Sequence, residues 1–509
     1  MFSSCSFRIL LKMNYKKIQQ LATRLARFYS SDKFLTKDLY PDVKRGDFAK
    51  LTSGHLQIFE RILGKDRVIT DRDDLVGYNM DWLKMVCGYS DVVLKPKTTD
   101  EVSEIMKVCF KEHLAVCPQG GNTGLVGGSV PVFDEVIVSL SLMNKIHKID
   151  ETTGMLTCDA GCVLERLDNE AAKKGLMMPL DLGAKGTCQI GGNIATCAGG
   201  LRLIRYGSIA ANLLGLEVVL ANGEVLSMMN HMKKDNTGYH LKQLFIGSEG
   251  TLGIITAAVV QCPPRPKSVT LAFLGLQSYE DVLKTYRLAK SLLSETLSSC
   301  EMMDSRSMES VERIGLTCPI NKNKFYMVIE THGSNSSHDE EKMSNFVAEA
   351  MDAGAVVDGT YTSQPSTMHN LWQLRERITE SLTRSSYIYK YDISLPLDYF
   401  YEAVNATRKH LEEKGFKNIK VSGFGHIGDG NLHLNIENKA FSRELLDAIE
   451  PWLFEWTTEQ GGSISAEHGM GFKKRKYIGL GKSPSVVGVM SALKAQLDPT
   501  GILNPYKVI

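Results

Sequence analysis

The 509-residue sequence lacks a large net charge, a membrane-length apolar run and a regular cysteine framework. Its 59 basic and 58 acidic residues nearly cancel, which argues against a nucleic-acid partner. No apolar stretch approaches the roughly 18–20 residues that span a bilayer, so no membrane span is expected. The 11 cysteines contain no CxxC pair and mostly lie in apolar surroundings, which favours a reducing compartment. The length predicts two or three domains.

The N-terminus is basic and contains no acid before Asp32. Apolar residues at helical spacing between Ile18 and Leu25 form one face of a predicted helix, with basic residues opposite. Residues 1–30 are therefore predicted to be a mitochondrial transit peptide, and the protein is expected in the mitochondrial matrix. A disordered basic tail is the alternative.

A glycine-rich loop, PQGGNTGLVGGS at residues 118–129, follows a predicted strand at Leu114–Cys117. Five glycines within nine residues indicate closely approaching backbone, and such loops present N–H groups to phosphate oxygens. The loop is not the GxGxxG dinucleotide fingerprint, because it leads into a predicted strand at Val136–Leu140 rather than a helix. A flexible surface loop is the alternative.

Further glycine clusters occur at residues 183–200, at the YGS of residues 206–208, and in LFIGSEGTLGIIT at residues 244–256. The ANG sequence at residues 221–223 predicts a hairpin between two strands. Three prolines at residues 263–266 mark a domain boundary.

The motifs PQGGNTGLVGGS, IGGNIATCAGG, YGS and GSEGTLGIIT together resemble the FAD-binding domain of the vanillyl-alcohol oxidase / p-cresol methylhydroxylase superfamily. The resemblance implies an α+β fold of two subdomains with FAD between them. Some relatives carry FAD covalently on a histidine near the first glycine loop; Gln119–Asn122 contains none, so non-covalent FAD is expected. The implied cofactor-binding residues are Pro118, Gly120, Gly121, Asn122, Thr123, Gly124, Gly127, Gly128, Ser129, Gly183, Gly191, Gly192, Asn193, Gly199, Gly200, Tyr206, Gly207, Gly253, Ile254 and Asn504.

After the prolines, strands and long helices alternate, which predicts a separate α+β substrate domain with an antiparallel sheet. The predicted division of the chain is a transit peptide (1–30), an N-terminal helical segment (31–90), an FAD-binding domain (91–267), a substrate-binding domain (268–455) and a C-terminal segment that completes the active site (456–509).

Two cationic residues of this region lie in unusual places. A predicted helix at Leu371–Leu382 carries Arg375 and Thr379 on or beside its apolar stripe. A buried arginine needs an anionic partner, which is either a ligand or a structural carboxylate. Lys390 lies within an aromatic strand, and Asp392 is its simplest partner. Arg375, Thr379 and Lys390 together are suited to bind a carboxylate-rich ligand.

The sequence GFGHIGDGNLHLNIE predicts a β-hairpin with strands at Lys420–His426 and Leu432–Glu437. Its GDGN turn folds His426 back toward His433, and two imidazoles on a rigid hairpin can form half of a metal site. A purely structural hairpin is the alternative.

The SAEHG sequence at residues 465–469 offers a carboxylate, Glu467, and a third imidazole, His468. Two imidazoles and one carboxylate suit zinc or manganese and leave positions open for substrate. If the segment is extended, His468 points away from Glu467 and is free to act as a base.

The motifs GFGHIGDGNLHLNI, ISAEHGMG and LDPTGILNPYK resemble the C-terminal domain of FAD-linked 2-hydroxy-acid dehydrogenases. Within that family, LRERITESL and YKYDISLPL are most similar to members that act on D-2-hydroxyglutarate. The resemblance covers nearly all of the chain after the presequence. It implies the metal ligands His426, His433 and Glu467, with zinc as the expected ion, the base His468, and the substrate contacts Arg375, Thr379, Lys390 and Asn435.

The resemblance implies FAD-dependent oxidation of a D-2-hydroxy acid to a 2-oxo acid, with electron-transfer flavoprotein as the expected acceptor. Two cations favour a dicarboxylate over lactate, because an unpaired buried charge costs about 3–5 kcal/mol. The alternatives are a D-lactate dehydrogenase, a flavin transferase of the alkylglycerone-phosphate synthase type, and a zinc-stabilised binding module without enzymatic activity.

Overall fold

The computed structural model describes residues 35–509 of the chain, and the predicted transit peptide lies outside these described residues. The helices of the described part are α1 (Thr36–Leu39), α2 (Ser53–Leu63), α3 (Arg72–Asn79), α4 (Thr99–Lys111), α5 (Leu164–Ala172), α6 (Ile190–Ala195), α7 (Leu203–Tyr206), α8 (Ile209–Asn212), α9 (Tyr279–Leu292), α10 (Ser305–Glu312), α11 (Ser336–Asp352), α12 (Pro365–Glu376), α13 (Ile378–Ser385), α14 (Leu397–Phe400), α15 (Glu402–Glu413), α16 (Arg443–Ile449), α17 (Trp452–Glu459), α18 (Ile478–Gly481) and α19 (Pro484–Leu497). No helix among residues 35–509 combines the length and apolarity needed to cross a membrane.

The strands form three sheets. They are β1 (Val68–Ile69), β2 (Val93–Leu94), β3 (Val116–Gln119), β4 (Val136–Ser139), β5 (Ile146–Asp150), β6 (Met155–Asp159), β7 (Leu213–Val219), β8 (Val225–Met228), β9 (Ile254–Gln261), β10 (Ser268–Leu276), β11 (Leu297–Asp304), β12 (Phe325–Gly333), β13 (Asp358–Thr362), β14 (Tyr387–Ser394), β15 (Lys420–His426) and β16 (Asn431–Asn438).

The N-terminal half contains a four-stranded sheet in the order β1-β2-β4-β3 and a five-stranded sheet in the order β5-β6-β9-β7-β8. β4 pairs in parallel with β2 and β3, whereas the larger sheet is antiparallel. Both sheets contribute to one hydrophobic core, which Ile502 and Leu503 near the C-terminus also join. The last residues of the chain are thereby anchored among the strands that carry the first glycine loop.

The C-terminal half is organised by a seven-stranded antiparallel sheet in the order β13-β10-β12-β11-β15-β16-β14, which confirms the predicted antiparallel sheet. Alternate residues of β10 enter two different cores, because successive side chains of a strand point to opposite faces. Leu274 packs with α9 and α11 on one face, whereas Phe273 packs with α10, α12 and α13 on the other. We call the second face the site face, since His433 and Asn435 share it.

The predicted β-hairpin is present, and its strand limits agree with the prediction to within one residue. β15 spans the predicted residues, and β16 is one residue longer at each end than predicted. The turn between them holds Gly430 at φ +76°, a left-handed conformation that favours glycine. The strands pair antiparallel with His426 opposite Asn431 and Phe424 opposite His433.

The predicted helix at Leu371–Leu382 is wrong in one respect, because the structure divides it into α12 and α13. Arg377 leaves the helical conformation at φ −89° and ψ 6°, and its N–H donates to the carbonyls of Gln373 and Arg375. Its guanidinium bonds Glu380 in the next turn, which stabilises the junction. Arg375 is the penultimate residue of α12, and Thr379 is the second residue of α13.

Local signals elsewhere in the sequence are confirmed. Thr52 forms a capping box with His55 at the start of α2. β7 and β8 form the predicted hairpin around the ANG turn. The stretch 31–90 contains α1–α3, and it also contains the strand β1, which the sequence did not indicate.

Candidate active site

The β15–β16 hairpin places two imidazoles side by side within the protein. The rings of His426 and His433 have centroids 5.3 Å apart and are nearly perpendicular. Both side chains are buried. Because the hairpin lies inside a seven-stranded sheet, the separation of the two rings is set by strand register rather than by a flexible loop.

The segment after α17 brings Glu467 and His468 to the same place. Glu467 Oε2 lies 3.6 Å from His426 Nε2, and Glu467 Oε1 accepts a 2.6 Å hydrogen bond from the Gly200 amide. The His468 ring stacks on His433 with centroids 5.9 Å apart. We call His426, His433, Glu467 and His468 the imidazole cluster. It joins the C-terminal segment to the second glycine cluster.

Three members of the imidazole cluster have the spacing of metal ligands. One ligand atom from each of His426, His433 and Glu467 lies within 4.8 Å of the other two. The 3.6 Å gap between His426 and Glu467 is long for a hydrogen bond, yet two ligands about 2.0–2.2 Å from one tetrahedral ion lie about 3.4 Å apart. His433 Nδ1 is buried and has no hydrogen-bond partner among the described residues. These residues fit a divalent cation.

Glu301 is a part of this site that sequence reasoning missed. It lies on β11, directly opposite His426 in the pairing of β11 with β15. Its carboxylate accepts hydrogen bonds from His426 Nδ1 at 2.6 Å and from Arg375 Nε at 2.7 Å. Although burial opposes protonation of His426, the carboxylates of Glu301 and Glu467 outweigh it and raise the pKa of that imidazole. The surroundings of His426 therefore attract positive charge.

Asp392 is a second buried carboxylate of the site, and its hydrogen-bond partners differ from the one that the sequence suggested. The sequence suggested it as the partner of Lys390, but its Oδ2 accepts the backbone N–H groups of Glu467 and His468, each at 2.9 Å. Lys390 Nζ donates instead to Thr379 Oγ1 at 2.9 Å. The reason is strand register, which places Asp392 opposite His433 and Lys390 opposite Asn435. Asp392 thus orients the backbone of the segment that carries Glu467 and His468.

The four predicted substrate contacts converge beside the imidazole cluster. The guanidinium carbon of Arg375 lies 4.6 Å from the centre of the Phe424 ring. Its hydrogen bond to a described residue uses Nε alone, so the two terminal nitrogens remain for a ligand. Asn435 donates to the His433 carbonyl at 3.0 Å, while its Oδ1 is buried without a partner in the described chain.

Burial changes the acid–base properties of this pocket. It lowers the pKa of Lys390 to about 8, although nearby Asp392 acts in the opposite direction. It also lowers the pKa of His468 to about 4, again against the influence of Asp392. Both shifts have the sign expected when a cation leaves water.

Beside the imidazole cluster, the first glycine loop (residues 118–129) and the glycine cluster of residues 183–200 approach each other closely through their backbones, and we call the space that they line the glycine cleft. A Cβ atom on Gly121 would lie 2.1 Å from the Thr187 carbonyl oxygen, so the first and second clusters touch at a point where only glycine fits. Gln189 Oε1 and Asn193 Oδ1 are buried here without partners among residues 35–509. A Cβ on Gly192 would meet open space. Such a cradle with unpaired polar atoms fits a nucleotide cofactor.

The remaining predicted cofactor residues fall into two groups. Ten are glycines, which have only their backbone to offer a ligand: Gly120, Gly124, Gly127, Gly128, Gly183, Gly191, Gly199, Gly200, Gly207 and Gly253. Pro118 lies in β3, Thr123 lies in the first glycine loop, and Ile254 lies in β9 with its side chain in the hydrophobic core. Others have side chains bonded to protein groups. Asn122 bonds the carbonyls of Gly77 and Met80 and accepts from Ser129, and Tyr206 bonds His332 at 2.7 Å.

Asn504 ties the C-terminus to the same loops. Its Nδ2 donates to the carbonyls of Gly128 and Glu249, and its Oδ1 accepts from Lys507. Because the amide nitrogen and oxygen of Asn504 are already bonded to protein groups, its side chain holds the loops in position.

Glu249 of the GSEGTLG motif is a further residue that sequence reasoning passed over. Its carboxylate accepts the amide N–H groups of Met470 and Gly471 at 2.7 and 2.8 Å. Its backbone is held at φ +53°, which is unusual for a residue with a side chain. Glu249 connects the third glycine cluster to the segment that begins with Glu467.

Comparison with known proteins agrees with this architecture. Residues 90–228 match the family described as "FAD binding domain", and residues 265–508 match "FAD linked oxidases, C-terminal domain". A solved structure of p-cresol methylhydroxylase with substrate bound aligns at a TM-score of 0.71 and 17% identity, covering 90% of this chain and 97% of that chain. This likeness shows the fold, and it confirms the predicted α+β class.

Two relatives are similar over most of their length. The chain is 52% identical over 476 residues to a Bos taurus protein named "D-2-hydroxyglutarate dehydrogenase, mitochondrial", covering 93% of this chain and 87% of that protein. It is 54% identical over 463 residues to a Danio rerio protein of the same name, covering 91% and 86%. The chain belongs to the FAD-linked oxidases and is an FAD-dependent oxidoreductase of the family that contains these mitochondrial dehydrogenases.

Proposed function

We propose that the chain oxidises D-2-hydroxyglutarate to 2-oxoglutarate. The observation that carries the proposal is the pair of cations beside the imidazole cluster. Arg375 has two terminal nitrogens free of described partners, and Lys390 bonds only the neutral Thr379 hydroxyl. Two cations in a buried pocket suit a ligand with two carboxylates. The names of the Bos taurus and Danio rerio relatives support the same substrate.

FAD occupies the cleft between the glycine clusters in this proposal and is bound without a covalent link. Backbone N–H groups of the loops would hold its pyrophosphate, and the unpaired Gln189 and Asn193 oxygens would be available to it. When bound, FAD would accept the α-hydrogen of the substrate as a hydride, that is, a proton together with two electrons. The contact between Gly200 and Glu467 brings the cofactor side of the site to the substrate side.

His426, His433 and Glu467 would hold a divalent cation, with zinc the ion we expect. The cation would lower the pKa of the substrate hydroxyl and orient it. Glu301 holds the His426 ring, and Asp392 holds the backbone of Glu467, so the chain presents these ligands in a fixed arrangement.

His468 acts as the general base and takes the hydroxyl proton on its ring. Its backbone is fixed by Asp392, and its ring is aligned by stacking on His433. Arg375 and Lys390 bind the two carboxylates, while Thr379 and Asn435 orient the substrate between them.

We further propose that the protein works in the mitochondrial matrix and passes electrons to electron-transfer flavoprotein. The basic, acid-free N-terminus and the mitochondrial names of both relatives support the location. The acceptor follows from the family resemblance.

An anaerobic substrate screen tests the proposal. Purified FAD-loaded protein is mixed with D-2-hydroxyglutarate, L-2-hydroxyglutarate or D-lactate, and flavin absorbance is followed with and without a chelator. We expect rapid bleaching by D-2-hydroxyglutarate alone, and a large loss of rate after chelation. A higher kcat/KM for D-lactate would favour the lactate alternative, and absence of bleaching by any hydroxy acid would favour a transferase.

A further inference from the structure

Glu301 is a fully buried carboxylate that touches two different parts of the site. It is 0% exposed and lies near the middle of the seven-stranded sheet, on the site face. One oxygen accepts from His426 and the other accepts from Arg375, at 2.6 and 2.7 Å. A single side chain therefore contacts both a predicted metal ligand and a predicted substrate contact.

The bond to His426 determines how that imidazole is presented. Because Nδ1 carries the proton donated to Glu301, Nε2 is the nitrogen that remains to bind a cation when the ring is neutral. Nε2 is also the atom that lies 3.6 Å from Glu467. Glu301 thus fixes both the tautomer and the direction of the His426 ring.

The bond to Arg375 has an equivalent effect on the guanidinium. Glu301 engages Nε, and the Phe424 ring lies 4.6 Å from the guanidinium carbon. These two contacts hold the side chain at one edge and one face. The opposite edge, with both terminal nitrogens, is left for bidentate binding of a carboxylate.

We propose that Glu301 is a shared positioning residue, which sets the metal affinity through His426 and the substrate affinity through Arg375. This inference rests on the proposed function. A structural ion pair would stabilise the fold without a separate effect on either ligand. Direct pairing of β11 with β15 makes the sharing geometrically rigid, because Glu301 and His426 are register partners.

The test compares Glu301→Gln with Asp304→Asn as a matched control. Asp304 is on the same strand, is 1% exposed and accepts several hydrogen bonds, among them one from the Gly423 amide at 3.0 Å, but it touches no member of the imidazole cluster among the bonds of the described chain. Both variants lose a buried carboxylate, so both report on general destabilisation.

Zinc affinity is measured on the FAD-loaded protein by competition with a chromophoric chelator. We expect Glu301→Gln to bind zinc about 10–100-fold more weakly, the usual effect of losing a carboxylate behind a metal-bound histidine. Asp304→Asn should stay within about twofold of the unaltered protein.

Kinetic measurements at saturating zinc separate the effect of Glu301 on substrate binding from its effect on metal binding. Once zinc is restored, kcat of Glu301→Gln should recover substantially, while KM for D-2-hydroxyglutarate should stay raised about tenfold because Arg375 has lost its anchor. Unchanged zinc affinity, or an unchanged KM at saturating zinc, would overturn the inference.

Glu301→Asp keeps the test decisive if the glutamine variant does not fold. It retains the charge that compensates Arg375 but is one methylene shorter, so it cannot reach both partners. We expect the same two effects from it, and a folded Glu301→Asp protein with normal zinc affinity and KM would refute the shared role. If the unaltered protein binds no zinc, or its flavin is not reduced by D-2-hydroxyglutarate, the proposed function fails instead.

Discussion

The imidazole cluster and the glycine cleft lie side by side but depend on different parts of the chain. In the cluster, a few side chains carry the chemistry, and their spacing comes from the register of β11, β14, β15 and β16. In the cleft, backbone approaches backbone, as at Gly121 and Thr187, and the absence of side chains is what matters. The two regions meet where the Gly200 amide donates to Glu467.

This difference determines how each region should fail. Removal of a side chain from the cluster should stop a chemical step while leaving the flavin bound. Addition of an atom in the cleft should loosen the flavin and destabilise the protein, because the loops have no room to accommodate it. Mutations can therefore separate the two regions despite their contact.

The largest effect is expected at the proposed base. His468→Asn keeps a polar side chain of moderate size but removes a group that can take a full proton. We expect kcat to fall by about 10²–10⁴-fold with full FAD content, because general base catalysis typically contributes that much. Steady-state rates and the flavin absorbance of the purified variant measure the two quantities, and full turnover would contradict the assignment.

A smaller effect is expected at one of the two cations. Lys390→Met preserves the length of the side chain but removes its charge. A hydrogen bond to a charged group contributes about 1.5–3 kcal/mol, so kcat/KM for D-2-hydroxyglutarate should fall about 10–150-fold. A monocarboxylic D-2-hydroxy acid of similar size is the control substrate if Lys390 holds the distal carboxylate, and its kcat/KM should then change far less. An equal loss for both would place Lys390 at the carboxylate that they share.

The smallest effect is expected in the cleft. Gly121→Ala places a Cβ within 2.1 Å of the Thr187 oxygen and should cost about 1–3 kcal/mol of stability, with reduced FAD content. Gly488→Ala in α19 is the matched control, since a Cβ there has nothing within 4 Å and should stabilise the helix by up to about 1 kcal/mol. Denaturant midpoints and flavin content are the measurements, and equal behaviour of the two variants would refute the close approach.

Sequence reasoning succeeded where the signal is local. The hairpin that carries His426 and His433 combines strand alternation with a GDGN turn, so its limits could be read within a residue. The proximity of His426, His433 and Glu467 was predicted from the spacing of the motifs and from the family resemblance together. The break at Arg377 was missed, because the apolar stripe from Leu371 to Leu382 continues through it.

The positions of Glu301 and Asp392 in the site could not be predicted from the local sequence pattern. Glu301 is 125 residues from His426 in sequence, and only the order of the strands in the sheet places the two side by side. Asp392 lies two residues from Lys390, yet cross-strand register directs it to His433. A carboxylate of this kind is recognisable from sequence only when the strand pairing is already known, because the pairing decides which side chains share a face.

The central claim is that the hairpin holds a cation needed for turnover while the flavin is held elsewhere. The most direct measurement is metal content, flavin content and turnover of His433→Ala, with His433→Gln as a companion that retains more side-chain volume. We predict flavin content like that of the unaltered protein, loss of bound metal, and loss of D-2-hydroxyglutarate oxidation. A variant with full flavin, no metal and unaltered turnover would contradict the account.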